Sequence, residues 1–208
     1  KMKIGSTRRD YKLKKKLIIK NNNPIDTFDY WYRNATKLVS EPNAFCLSTI
    51  NEKTPESRMM LLKDYGDNFT FFTNILSNKG IELMENNNCT MNFWWKEIHQ
   101  QVRITGITKL IKTVFTKEYF YSRPKGSQIA AYLSNQSKRI ASYETLIKKY
   151  KKIVKKYENK KVPYPKSWVG FNVEPSKIEF WQGAEFRLHQ RVEFIKENNK
   201  WKKKLLAP

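Results

Sequence analysis

Three cations share the stretch EFRLHQRVEF at positions 185–194: Arg187, His189 and Arg191, each two residues from the next. Phe186, Leu188, Val192 and Phe194 take the other parity, interrupted by Gln190. Successive side chains of a β-strand point to opposite faces, so this spacing predicts one strand that buries the apolar set and presents a row of cations. Such a row suits an anionic ring, or charge developing on one, and a histidine within it is a candidate for proton transfer. His189 and His99 are the only histidines, too few for a multi-histidine metal site within one chain. No metal site is expected.

Other cations also stand in ordered, apolar contexts. YFYSRPKGSQ brings Tyr119, Arg123 and Ser127 together around Pro124. Two hydroxyls and a guanidinium at a helix break make a phosphate clasp, and a proline-kinked surface helix would read the same way. FFTNILSNKG puts Thr73, Ser77 and Lys79 at a helix start, where unpaired N–H groups favour anions; ordinary capping also accounts for Ser77. SRMMLLKD sets Arg58 and Lys63 at the ends of an apolar strand, their heads on the order of 15 Å apart, a span for an elongated phosphorylated ligand or for two solvated strand ends. The aromatic NFWWK and FWQG could stack on a planar ring or fill a core. No GxxxxGK, GxGxxG, HExxH, CxxC or GxSxG pattern occurs.

The elements that must position these groups follow from periodicity. Residues 24–42 predict a helix with Phe28, Trp31, Tyr32, Ala35 and Leu38 on one face, capped at Asp26 or Thr27 and closed by Pro42. AFCLSTI, SRMMLLKDY and FTFFTN predict strands. SNKGIELMENN predicts a helix capped by Ser77, with Ile81, Leu83 and Met84 inward. CTMNFWWK and QQVRITGITKLIK predict two more strands, the second bent or bulged at Gly106. Pro124 divides the next segment into two short helices, and residues 142–161 predict an amphipathic helix with a lysine face. WVGFNVEPSKIEFWQG predicts two strands around EPSK, and 185–194 the last. This mostly hairpin order of about seven strands among helices favours an α+β antiparallel barrel, with residues 1–23 as a basic, mobile arm before a single domain over 24–208.

Lys and Arg total 41 against 19 Asp and Glu, a net charge of +22. That balance favours anionic partners, although the runs KLKKK, KKYKKIVKK and KWKKK suit solvated faces equally. Cys46 and Cys89 are too few for a disulfide framework, and a reducing, cytoplasmic location is expected. No apolar run of about 18 residues is present, so no membrane span is expected.

In order and spacing, RRDY, RMMLLK, FFTN, SNK, QQVRITG, YFYSRPKGSQI, SNQS, FWQGAEFRLHQR and LAP resemble the pyridoxine/pyridoxamine 5′-phosphate oxidase family from about Arg8 to Pro208. The resemblance implies a split β-barrel that binds FMN and works as a homodimer with two sites at the interface. It implies oxidation of pyridoxine 5′-phosphate or pyridoxamine 5′-phosphate to pyridoxal 5′-phosphate, with dioxygen as acceptor and hydrogen peroxide as product. It assigns FMN contacts to Arg58, Met59, Met60, Leu61, Lys63, Phe72, Thr73, Asn78, Lys79, Gln101, Gln136, Ser137, Trp181 and Arg191. Substrate contacts fall to Arg8, Tyr11, Lys63, Tyr119, Arg123, Ser127, Arg187 and His189, the last two beside the substrate ring. Phe72 stands where tyrosine is common. Asn78 replaces an arginine of the phosphate grip and carries no charge. Gln190 replaces an aspartate and points, by parity, away from the ligand. Two alternatives stay open: another FMN-dependent split-barrel oxidoreductase, and a non-catalytic basic module that binds nucleic acid.

Overall fold

A computed structural model describes Tyr11 and residues 16–208. Among these residues the order is α1 (Pro24–Leu38), β1 (Ala44–Asn51), β2 (Thr54–Leu61), β3 (Asp64–Tyr65), β4 (Phe69–Asn74), α2 (Asn78–Glu85), β5 (Asn88–Trp95), β6 (Gln100–Leu110), α3 (Thr113–Ser122), α4 (Lys125–Leu133), α5 (Tyr143–Lys156), β7 (Trp168–Gln182), β8 (Gln190–Glu197) and β9 (Lys200–Leu206). Short 3-10 turns sit at Lys96–Ile98 and Glu185–Arg187.

The strands form one antiparallel sheet in the order β2-β1-β5-β6-β7-β4-β3, with β8 on β7 and β9 on β8. β7 explains the split of the barrel. One of its edges is covered by β6 along Phe171–Gln182. The opposite edge is shared: β4 takes Trp168–Val173 and β8 takes Lys177–Gln182. The two strands expected around EPSK are therefore one long strand that changes partner there. Pro175 lacks a ladder N–H and sits at the changeover, opposite Gly106, where the β6–β7 register shifts. A Cβ on Gly106 would lie 2.1 Å from the Glu174 carbonyl oxygen, so only glycine fits the expected bulge.

Alternation supplies the core. Phe45 and Leu47, Met91 and Phe93, Val102 and Ile104, Phe69 and Phe71, Ile178 and Phe180, and Val192 and Phe194 are buried, each large side chain worth about 1.5–3 kcal/mol of transfer free energy. α1 closes one end with Phe28, Trp31 and Ala35. Its cap is Asn23, which accepts from the Ile25 N–H ahead of Pro24, rather than Asp26 or Thr27; Leu38 is exposed. A second cluster of Phe120, Ile129, Tyr157, Val162 and Trp168 holds α3, α4 and the loop after α5. α5 itself buries no residue. On α2, Leu83 turns inward as expected, whereas Ile81 and Met84 are exposed; Lys79, Gly80 and Glu82 are buried in their place. Among the described residues no helix is long and apolar enough to cross a membrane.

Candidate active site

The first group of polar residues forms where β4 meets α2. Ser77 caps α2, accepting from the Gly80 N–H at 3.3 Å and donating to the Asn74 carbonyl at 2.6 Å. A Cβ on Gly80 would stand 2.5 Å from two backbone oxygens, which fixes the tight entry. This turn buries Lys79 to 8% exposure. Its Nζ donates to Gln136 Oε1 at 3.2 Å, with Thr73 Oγ1 and Ser77 Oγ at 3.4 and 3.5 Å. These partners are neutral, and among the described residues Lys79 has no carboxylate within ion-pair distance. Burial, then the nearby Arg58, pulls its pKa below the ordinary lysine value. The Asn78 N–H points to Ser137 Oγ at 3.3 Å, and Ser137 holds a left-handed φ of 68°. Thr73, Asn78, Lys79, Gln136 and Ser137, scattered over 65 positions of sequence, are thus brought together.

Arg58 sits behind this group rather than in it. Its guanidinium donates to buried Glu82 at 2.9 Å, to the Glu56 carboxylate at 3.3 Å, and to Thr49. Thr49 also donates to Glu82. Arg58 and Thr49 both bond Glu82 Oε2, Glu82 Oε1 is buried without a hydrogen-bond partner, and Glu82 offsets the lowering of the Lys79 pKa only in part. Of the neighbouring β2 residues, Met59 is exposed and Met60 and Leu61 are half-buried.

The second cluster lies at the break between α3 and α4. Arg123 caps α3, and its guanidinium carbon sits 4.8 Å from the Trp168 ring centre. Its Nη1 is buried with no hydrogen-bond partner. Burial lowers the Arg123 pKa. Lys63, exposed overall, is also lowered, first by desolvation and then by repulsion from Arg123. Two like charges are held together with no acid ion-paired to either among the described residues. Tyr119 flanks Arg123 and stacks on Phe72 at 4.3 Å, Phe72 stacks on Trp168 at 4.9 Å, and Tyr119 and Trp168 lie 6.0 Å apart, so the three near-parallel rings form one cluster. Ser127 lies in the first turn of α4.

The third cluster is built by strand register at the far end of β7. Gln101 on β6 pairs with Trp181 on β7, which pairs with Arg191 on β8, so three residues distant in sequence line one row. Arg191 donates through Nε to buried Glu179 at 2.8 Å and through Nη1 to the Ala207 carbonyl at 2.9 Å. Arg103 reaches the other Glu179 oxygen at 3.2 Å. Tyr11 packs edge-on against His99, Trp181 and His189 at 4.7, 5.8 and 5.5 Å. The Leu17 N–H donates to Gln190 Oε1 at 2.9 Å, which gives Gln190 a role in seating the preceding segment. Arg8 lies outside the described residues.

The strand expected over 185–194 does not begin until Gln190. Phe186 and Arg187 take left-handed φ values of 55° and 62°, each such non-glycine residue costing on the order of 1–3 kcal/mol. The chain makes a turn there, closed by the Leu188 N–H to the Glu185 carbonyl at 3.0 Å. Phe186 and Leu188, expected in the core, are 82% and 66% exposed. The cations survive as a cluster but not as a strand face: Arg187 and His189 sit on the turn, Arg191 on β8. The Ala184 N–H donates to His189 Nδ1 at 3.1 Å, and burial plus Arg187 lowers the His189 pKa.

Sequence reasoning passed over Glu82, Glu179 and His99. The two glutamates carry a usable signal, since an acid inside an apolar strand or on a buried helix face needs a cation. His99 has no such signal: it matters because a left-handed φ of 52° turns it toward Tyr11.

Cationic clusters toward both ends of β7, on a split β-barrel wrapped by helices, define the class of protein. Residues 33–157 match the family described as "Pyridoxamine 5'-phosphate oxidase", and residues 168–208 match "Pyridoxine 5'-phosphate oxidase C-terminal dimerisation region". The "Pyridoxine/pyridoxamine 5'-phosphate oxidase 2" of Hydrogenovibrio crunogenus is 40% identical over 191 residues, 90% of each chain. Among solved structures, PhzG from Burkholderia lata, in complex with tetrahydrophenazine-1-carboxylic acid, is 26% identical with a TM-score of 0.85, covering 90% of this chain and 94% of that one. A pyridoxamine 5′-phosphate oxidase-related, FMN-binding protein from Nostoc punctiforme shares the fold, with a TM-score of 0.72 at 11% identity over 89% of this chain and 98% of that one. The chain belongs to the pyridoxamine 5′-phosphate oxidase family, and its C-terminal dimerisation region supports homodimer formation.

Proposed function

We propose that this chain catalyses the FMN-dependent oxidation of pyridoxine 5′-phosphate or pyridoxamine 5′-phosphate to pyridoxal 5′-phosphate, with dioxygen as electron acceptor and hydrogen peroxide released. The observation that carries this reading is the presence of two cation sets, buried Lys79 and the partly desolvated Lys63–Arg123 pair, neither ion-paired to an acid among the described residues. A buried cation with only neutral partners, and a buried guanidinium nitrogen with none, are costly unless an anion completes them. Two such sets fit one phosphate on the cofactor and one on the substrate.

The FMN phosphate fits the Lys79 set, where the N-terminus of α2, Thr73, Gln136 and Ser137 add donors. Asn78 offers its backbone N–H there in place of a charge. The substrate phosphate fits Lys63, Tyr119, Arg123 and Ser127. Gln101, Trp181 and Arg191 suit the flavin ring, and Arg187 and His189 the pyridine ring, with Tyr11, and Arg8 from outside the described residues, as further substrate contacts. When bound, FMN supplies the two-electron acceptor that the protein lacks. The chain's own task is to fix both anionic tails and both rings in reacting geometry.

Two copies complete the site on this reading. From Gly170, beside Phe72, to Trp181 the strand β7 runs on the order of 35 Å at about 3.3 Å per residue. The phosphate clusters and the ring cluster of one chain lie far apart along it, and a dimer brings one chain's phosphate clusters to its partner's ring cluster. Exposed Met59, Leu76, Ile81, Met84, Phe186 and Leu188 supply apolar surface for that contact.

The test is an oxidase assay following pyridoxal 5′-phosphate and peroxide together. A yellow dimer that turns over both phosphorylated substrates supports the reading. The likeness to PhzG favours a second one, in which the Lys63–Arg123 pair takes the carboxylate of another ring substrate; turnover of a carboxylated tricycle and not of the phosphorylated pyridines would establish it. A colourless protein that takes up no FMN and binds RNA would refute both.

A further inference from the structure

The turn after β7 does more than place His189. Ala184 donates its backbone N–H to His189 Nδ1 at 3.1 Å. An amide can donate there only if Nδ1 keeps its lone pair, so the proton of the neutral ring belongs on Nε2. Trp181 covers the ring at 4.6 Å and Tyr11 meets it edge-on at 5.5 Å. The turn's two left-handed residues, Phe186 and Arg187, fold Ala184 back toward His189.

We propose that His189 acts as a fixed, neutral hydrogen-bond donor through Nε2, locked in that tautomer by the Ala184 amide, and is not the base of the reaction. This rests on the reading that places His189 beside the substrate ring. Protonation of Nδ1 would set two N–H groups against each other, and the charges around the imidazole disfavour it further. Arg187 stands on the same turn, which also carries Glu185, and Lys16, Arg191 and Lys203 line with His189 a groove of about 460 Å³ that, among the described residues, no carboxylate lines. Among the described residues, Tyr11 is the further titratable group packed against the ring. The lowered His189 pKa agrees with this geometry. The Nε2–H then stabilises negative charge on the substrate's phenolic oxygen, and the proton lost from its hydroxyl or amine passes to water.

Two measurements test this. In the FMN-loaded dimer without substrate, labelled with ¹⁵N-histidine and assigned against His189→Gln, long-range ¹H–¹⁵N spectra should show an unprotonated Nδ1 and a protonated Nε2. That pattern should persist as the pH falls through about 6.5, the ordinary imidazole value. A protonated Nδ1, or an imidazolium at neutral pH, overturns the proposal. In turnover, the His189→Gln amide reaches the Nε2 position and donates, whereas His189→Asn and His189→Ala do not. Gln should stay within about tenfold of wild type in kcat/KM, while Asn and Ala lose about a hundredfold. The acid limb of the wild-type pH profile should remain in Gln. If Gln is as poor as Ala and that limb disappears, His189 is a base and the proposal fails. The spectra need no turnover, so they decide the tautomer even where failure of the oxidase assay refutes the functional reading.

Discussion

Arg123→Met separates recognition from folding. The substitution keeps an unbranched stem over Trp168 and removes the guanidinium. In the ligand-free protein the guanidinium carries opposing contributions. Its buried, unpartnered Nη1 costs about 1–3 kcal/mol, and its position 4.8 Å over Trp168 returns about 0.5–2 kcal/mol. These nearly cancel, so stability should change by no more than about 1 kcal/mol, a Tm shift of about 2–4 °C for a chain of this size. Binding should respond differently. A hydrogen bond to a charged group contributes about 1.5–3 kcal/mol, so losing it costs on the order of 10- to 150-fold in kcat/KM for a phosphorylated substrate. The rate with unphosphorylated pyridoxine should scarcely move. Steady-state kinetics with both substrates, beside melts of cofactor-free protein with and without inorganic phosphate, make the comparison. A variant that melts far below wild type yet keeps its preference for the phosphorylated substrate would make Arg123 a structural residue and not a phosphate ligand.

Lys79→Met should retain no FMN after gel filtration yet raise the stability of the cofactor-free protein. The folded pKa of Lys79 is depressed, so the stability it contributes is present above its ordinary value of about 10.5 and is lost as pH falls through the depressed value. The advantage of Met should therefore be larger at pH 7 than at pH 10 in urea titrations. Burial raises the Cys89 thiol from 9.0 to about 12, so its contribution is complete below pH 9 and lost as pH rises toward about 12, on the order of 4 kcal/mol in all. Cys89→Ala should flatten that alkaline limb, and a thiol probe at pH 8 should reach Cys89 only on unfolding. Gly106→Ala should cost at least about 2 kcal/mol in denaturant titrations, because its methyl would meet the Glu174 carbonyl across the bulge.

Alternation and turn residues made most of the fold legible. Phe45 and Leu47, Val102 and Ile104, and Val192 and Phe194 fall on the buried face that parity assigns them. Gly106 marks the bulge because no other residue fits it. Parity failed at Phe186 and Leu188, because two consecutive left-handed residues break the strand and nothing in a non-glycine pair announces that geometry. It failed again at Pro175, where a strand that switches partner looks like two strands. On α2, helical spacing put Ile81 and Met84 inside, but the Arg58–Glu82 pair and the burial of Lys79 set the helix rotation. The clusters themselves depend on register and on loop returns. Gln136 meets Lys79, and Gln101 meets Arg191 across Trp181, only once the sheet is assembled.

On the proposed reading, phosphate clusters from one chain and the ring cluster of its partner make one oxidase site. Arg123→Met and Arg187→Ala should each be nearly inactive as homodimers. Co-expressed with different tags and purified through both, the mixed dimer holds one site carrying both substitutions and one carrying neither. It should therefore recover about half of the wild-type turnover of pyridoxine 5′-phosphate. A mixed dimer as inactive as its two parents would mean that the two clusters of one site come from the same chain.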